Sequence, residues 1–500
     1  MNKSRGFKNV LASSLAQIIT ISLGILIPRL VLVNLGSEAN GLLNSVSNIL
    51  TYMALLEAGV GGATLQALYR PISEDDKPEI SRIMAATNYF YRRTGIVYFI
   101  LVLLIASGYA LFIDSGISRI DVFLVVFLAG FSGVLSYFFQ GKFKILLSAE
   151  GKKYITTNIA TITHVGVSIS KIFVLLSGGN VVAVQSVYFV FNLAQMIAFL
   201  IYMNRHYAWV DYNAEPDFLA ISQRKAVLVH QVSVLVFNNT DIMVLTLLAT
   251  LKEVSVYSMY ALIFGLVRSV TVITDGFVYA LGQSFHMRER FIRLYDAFEL
   301  YTMAFTTSLF CITRYLILPF LRFYTSGVND INYIDQYLPW LFAVYFLLHN
   351  GRQSSSCLIE IAQKFEETKW RAALEAFINV SFSLILTVRY GIYGVLIGTI
   401  VALLYRTNDV IIYASKILNR SCLITYRRWL RNVFFFLLVS FTLDRIPLRI
   451  SSIGSLILLG FILVVTIVPS FVILNSLTER SVAKNAFDIL QNSLFKRFHK

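Results

Sequence analysis

Of the 43 Lys and Arg residues, 31 fall in one alternating set of loops or at the ends of the helices that border them, six in the other set, and six inside apolar stretches. A chain with that distribution has few folds open to it. Basic loops stay on the cytoplasmic side of a membrane while their neighbours cross, so the alternation predicts a multi-pass membrane protein. About 20 apolar residues cross the bilayer core, and hydropathy places fourteen such stretches at 10–33, 41–69, 90–112, 122–147, 155–176, 182–203, 226–248, 256–285, 296–320, 338–362, 370–388, 392–415, 430–441 and 453–477. An even number puts both termini on one side, and the basic loops make that side cytoplasmic. The weakest stretch, 430–441, is short, and it could form one hairpin with 453–477.

Composition agrees. With 57% hydrophobic and 14% charged residues and eight prolines, 500 residues do not make an ordinary soluble protein. The formal charge of +15 is spread over every inner loop and forms no nucleic-acid patch, so its expected partner is anionic lipid, at about 1 kcal/mol per basic residue. Cys311, Cys357 and Cys422 make no CxxC pair, and the sequence predicts no disulfide, metal or cofactor site. The apolar run after Lys8 is too long for a cleavable leader and reads as the first span.

The spans group into lobes. A polar inner stretch from Arg205 to Lys225 separates six from the next six, which gives an N-terminal lobe over 1–204, a cytoplasmic linker over 205–225 and a second six-helix lobe over 226–418. Two extra transmembrane helices follow over 419–478, and then a cytoplasmic amphipathic tail over 479–500, for which a frayed end is the competing reading. Weak echoes link the lobes, Leu35-Gly36-Ser37-Glu38 with Leu251-Lys252-Glu253, and Ser177-Gly178-Gly179-Asn180 with Tyr390-Gly391-Ile392-Tyr393-Gly394. Six spans per lobe is even, so the repeat is parallel, the plan of some secondary transporters that bind substrate near the midplane.

Several stretches together resemble a known family. They are Leu56-Glu57-Ala58-Gly59-Val60-Gly61-Gly62-Ala63 followed by Leu68-Tyr69-Arg70-Pro71, Asn238-Asn239-Thr240-Asp241, Leu318-Pro319-Phe320 with Phe323 to Tyr333, Phe365-Glu366-Glu367-Thr368-Lys369, and Gly391 to Thr399. In order over nearly the whole chain, they resemble the polysaccharide transporter family of the MATE/MOP flippase superfamily, the repeat-unit flippases of bacterial O-antigen, capsule and exopolysaccharide pathways. Leu281-Gly282-Gln283 departs from that pattern. The resemblance implies an all-α protein with two six-helix bundles and two extra helices. It also implies a bacterial cytoplasmic-membrane location, transfer of a polyprenyl-pyrophosphate-linked oligosaccharide to the outer leaflet, and partners that include a polysaccharide polymerase and other export proteins.

Charges deep in a bilayer cost about 2.5–3.5 kcal/mol each on insertion scales and therefore face a cavity or a partner. Arg29, Lys171 and Arg314 lie within about six residues of a span end, about 9 Å of rise, and can snorkel as interfacial anchors; substrate contact is the other reading. Arg268, Arg352 and Arg406 lie about 12 to 14 residues from the outer end, about 18–21 Å, beyond that reach. Arg406 is followed by Asp409 and Arg268 by Asp275 on the same helix face, so an ion pair competes with substrate binding at both. Arg352 has Glu360 two turns on and a polar stripe of Gln353 to Ser356, suited to a wet cavity. The candidates for the pyrophosphate are thus Arg352, Arg268, Arg406 and Arg29, because guanidinium binds phosphate oxygens bidentately. Asp241, Glu57 and Asp275 are candidates for coupling to a cation gradient, with pairing to arginine as the competing role, and His164 and His349 are able to titrate. Gly59, Gly61, Gly62 and Pro28 are either hinges or close-packing positions.

Two other functions are weighed. A MATE-type multidrug or organic-cation antiporter keeps the two-lobe plan but favours acidic cavity residues. A membrane polymerase or glycosyltransferase needs catalytic groups in a large outer loop, and the longest here, 321–337, offers only Asp330 and Asp335 as carboxylates. No catalytic or metal motif is present, so the expectation is a transporter and not an enzyme.

Overall fold

The computed structural model describes residues 3–57, 60–221, 235–236, 239–271, 281–282, 284–362, 364–446, 450 and 452–488, with side chains excluded at 3–22, 271 and 365–366. Among these residues the regular structure is helical throughout. The elements are α1 Lys3–Met53, a 3₁₀ turn Ala54–Glu57, α2 Val60–Glu74, α3 Lys77–Phe112, α4 Arg119–Leu135, a π turn Ser136–Gln140, α5 Gly141–Ala149, α6 Lys153–Leu176 and α7 Val181–His206. After the linker come α8 Asn239–Leu248 and α9 Leu251–Thr271. The rest are α10 Arg288–Tyr324, α11 Leu338–Gly351, α12 Gln353–Ile361, α13 Phe365–Leu418, α14 Leu423–Asp444 and α15 Ile453–Thr478. Eight helices among the described residues are long and apolar enough to cross a membrane.

Two of the longest helices are each a pair. α1 breaks at Gly36, at φ +84°, and α13 at Gly391, at φ +51°. Both φ values are easy only for glycine. These breaks separate the first span from the second and the eleventh from the twelfth, where the sequence places its outer turns. In the first turn, Asp330 substitutes for the missing helix partner by accepting hydrogen bonds from Ser37 N at 2.8 Å and Ser37 Oγ at 2.6 Å.

The chain forms two compact units, one of residues 1–255 with 327–331, the other of residues 256–326 with 332–500. In the first, α1 packs on α6 and α4, α3 on α4, and α4 on α7. The second half of α1 is tied to the chain after the linker by small polar residues. Asn40 Nδ2 donates to Ser255 Oγ at 2.7 Å, and Ser45 Oγ lies 2.7 Å from both Tyr109 Oη and Thr246 Oγ1. Such close approach requires a glycine, since a Cβ on Gly41 would lie 1.8 Å from the Leu251 carbonyl oxygen. Backbone cannot move aside as a side chain can. Gly41→Ala is therefore expected to cost about 1–3 kcal/mol or more, read as a lowered melting temperature of the purified protein in detergent. Gly108→Ala, which meets nothing within 4 Å, is expected to leave it unchanged or slightly raised.

In the second unit α10 is the central helix, packed on α11, α14 and α15. Phe264, Phe310, Phe342 and Phe346 pack together with ring centroids 5.3–6.1 Å apart. α14 corrects the sequence reading, because it spans 22 residues and not the short 430–441 stretch, and α15 is a separate helix. Hydropathy misses its first two turns because Arg427, Arg428 and Arg431 stand there. The structure neutralises two of them: Arg428 binds Asp296, Glu299 and Glu479, and Arg431 binds Glu479 and Asn475. Of the tail, residues 480–488 are helical and 489–500 lie outside the described residues.

Candidate functional site

Three of the sequence-predicted arginines meet in the second unit. α11 and α12 are separated at Arg352 (φ −89°, ψ −5°), so the tenth span is two short helices with a bend at its arginine. Arg352 Nη1 donates to Glu375 Oε1 at 2.6 Å. Arg406 Nε reaches Glu375 Oε2 at 3.4 Å, and its Nη1 donates to Asp409 Oδ2 at 2.6 Å. Arg371 completes the chain by donating to Asp409 Oδ1 at 2.7 Å, its guanidinium 5.0 Å from the Tyr413 ring centre. Arg268 stands within electrostatic reach of Arg352 and of the buried His349.

The side chains of Arg352, Arg406, Glu375 and Asp409 are between 7 and 14% exposed. Ions this far out of water remain ionised only by mutual pairing and hydrogen bonding. Among the described residues Arg352, Arg406 and Arg371 share Glu375 and Asp409, with Arg268 in electrostatic reach of Arg352 and Glu367 in reach of Arg371. α12 also begins at Gln353, and the positive end of its dipole adds to the potential around Arg352. The cluster is chemically suited to an anion.

Arg352 pairs with Glu375 of α13, a partner outside its own helix that the sequence reading did not name. Glu375 and Arg371 were missed; a count of carboxylates within the apolar stretches, made alongside that of the basic residues, would have found Glu375. The i+3 spacing of Arg406 and Asp409 does give the ion pair. Asp275 lies outside the described residues, so its pairing with Arg268 is not described.

The remaining candidates lie elsewhere. In the first unit Glu57 closes the 3₁₀ turn and accepts a hydrogen bond from Tyr91 Oη. It lines a cavity of about 300 Å³ with Gly61, Gly62, Ser136 and Lys144. Ser136 opens the π turn, a local widening of the helix that recurs at functional sites. Gly59 lies outside the described residues. Asp241 is buried on α8, and the neighbouring Thr240 Oγ1 lies 3.3 Å from Tyr52 Oη. Arg29 is half-buried on α1. Lys171 sits 5.4 Å from the Tyr188 ring centre. Arg314 is no free interfacial anchor: it donates to Asp444 Oδ1 at 2.8 Å and stacks 4.1 Å over Trp340.

No family model and no curated protein matches the sequence. Solved structures do match. The lipid II flippase MurJ in an inward closed conformation aligns with a TM-score of 0.71 at 15% identity, over 95% of this chain and 100% of that one. An inward-facing multidrug resistance MATE family transporter of the MOP superfamily aligns at 0.66 and 15% identity, over 82% and 98%. A MOP superfamily transporter from Pyrococcus furiosus, described as having a binding pocket of reverse polarity that suggests a different function, aligns at 0.52 and 12%, over 82% and 95%. At such identities the likeness is one of fold, and on that ground the chain is an all-α multi-pass membrane protein with the fold of the MOP-superfamily transporters.

Proposed function

We propose that this protein is a flippase that moves a polyprenyl-pyrophosphate-linked oligosaccharide repeat unit from the cytoplasmic to the outer leaflet of a bacterial inner membrane, by alternating access, for surface polysaccharide synthesis. The observation that carries the reading is the gathering of Arg352, Arg406 and Arg371 around Glu375 and Asp409, with Arg268 in electrostatic reach. A pyrophosphate head carries about two negative charges, and weakly hydrated guanidinium forks lower the barrier to taking it out of water. The sequence resemblance supports the same cargo, and a lipid flippase among the structural neighbours supports the same kind of work. Glu57 and Asp241 are the proposed sites of coupling to a cation gradient, and a polymerase and other export proteins are proposed partners.

The competing reading, an organic-cation antiporter, is favoured by the MATE neighbours and by Glu57 beside a cavity. The two separate in one experiment. In a strain lacking its own repeat-unit flippase, expression is expected to clear lipid-linked repeat unit from the inner leaflet and to leave ethidium efflux at background. Ethidium efflux without clearance would replace the flippase by the antiporter.

A further inference from the structure

A second basic site lies in the first unit, away from every residue used so far. α3 and the linker border an open cavity of about 530 Å³ lined by Asn88, Arg92, Arg93, Ile96 and Tyr212, a volume in the range of small-ligand sites. Arg92 and Arg93 are exposed, and neither pairs with a carboxylate among the described residues. Lys142 flanks the same place: its Nζ donates to Asn88 Oδ1 at 2.7 Å and lies 4.7 Å from the Tyr212 ring centre. The Tyr212 hydroxyl is buried and has no hydrogen-bond partner.

The surroundings are apolar on one side. Arg92, Ile96, Ile100 and Leu104 recur every four residues and so share one face of α3. Ile96, Ile100 and Leu104 are 55, 51 and 63% exposed, an apolar ridge ending at the arginine. On the linker Phe218 and Leu219 are also exposed, and Phe218 packs edge-on against Tyr89 and Phe90. Of the linker carboxylates, Asp211 and Asp217 are turned to backbone amides of their own loop, and Glu215, between the lining residues Ala214 and Pro216, is exposed. A soluble phosphate would use the arginines and leave the ridge bare. A phospholipid uses both, with its phosphate at Arg92 and Arg93 and an acyl chain along the ridge.

We infer that the cavity between α3 and the linker binds the phosphate of an anionic glycerophospholipid from the leaflet that the basic loops face. The inference is independent of the cargo. It is tested on the full-length protein in neutral detergent by native mass spectrometry, titrating phosphatidylglycerol and phosphatidylcholine. Removing each arginine is expected to weaken phosphatidylglycerol binding about fivefold, so that Arg92→Gln/Arg93→Gln binds about 25-fold more weakly. Phosphatidylcholine binding stays unchanged, as does phosphatidylglycerol binding by Lys153→Gln/Arg205→Gln, which removes the same charge from exposed positions elsewhere in the unit. The single variants carry the test should the double variant not purify as one species. Equal loss in both double variants, loss in neither, displacement by millimolar inorganic phosphate, or tighter binding of a polyprenyl pyrophosphate than of phosphatidylglycerol would each overturn the assignment.

Discussion

Arg428→Ala is expected to lower the stability of the protein by about 3–5 kcal/mol, the cost of leaving buried carboxylates short of their cation. Arg428 is 2% exposed and serves three acidic groups. Its Nη1 donates to Glu299 Oε2 at 2.5 Å and Asp296 Oδ1 at 2.8 Å, and its Nη2 to Glu479 Oε2 at 2.6 Å. Glu299 is fully buried; without Arg428 it keeps Arg420 Nη2 at 2.8 Å, Thr425 Oγ1 at 2.9 Å and a long bond from Tyr295 Oη at 3.4 Å, and loses its shortest contact to a cation. Lysine does not rescue, since a single ammonium cannot span three carboxylates as a planar fork does. Melting in detergent reads the effect, and an unchanged midpoint for Arg428→Ala would mean that the network does not hold α14 to α10. The network also predicts acid sensitivity. Burial alone would push the Glu479 carboxyl up, but hydrogen bonds and charge from Arg428 and Arg431 overcome it and hold it below its ordinary value. A depressed carboxyl stabilises the fold fully above its unfolded pKa, and that share is lost as the pH falls below about 4. Glu479→Gln should remove that part of the acid transition.

The same residues mark the boundary of what the sequence made legible. Runs of apolar residues cross the bilayer whatever their neighbours do, so the helical, multi-pass fold and its turns at Gly36 and Gly391 follow from local pattern. Arg406 with Asp409 follows too, because i+3 is a distance along one helix. Arg352 with Glu375 does not. That pair depends on a bend at Gly351-Arg352 that no proline announces, where a Cβ on Gly351 would lie 2.5 Å from Trp429 Nε1. The first turns of α14 were hidden for a related reason, since hydropathy scores each arginine as if alone, whereas Arg428 meets carboxylates more than 50 residues away along the chain. The linker read as merely polar, yet Tyr212 and Phe218 pack against α3 and α5. Local periodicity fixes helices; the partners of charges within them are set by tertiary packing.

The test of the arginine cluster turns on separating a contact with cargo from a prop for the fold. Arg352→Ala is expected to cut repeat-unit export about tenfold to a hundredfold, the worth of one charge-assisted hydrogen bond to phosphate. It also leaves Glu375, among the described residues, with Arg406 at 3.4 Å as its remaining cation, so a loss of fold would give the same result. Removing both partners distinguishes them. Arg352→Ala/Glu375→Ala takes out the orphaned carboxylate with the arginine, and replacing both members of a buried pair is far less costly than breaking it. The double variant is therefore expected to recover most of the melting temperature lost by Arg352→Ala and none of the export. Arg352→Lys should keep the charge and the fold yet lose the bidentate geometry, and export should fall between the wild type and Arg352→Ala. Export restored together with stability in the double variant would make Arg352 a structural partner of Glu375 and would move the anion site to Arg268, Arg371 and Arg406.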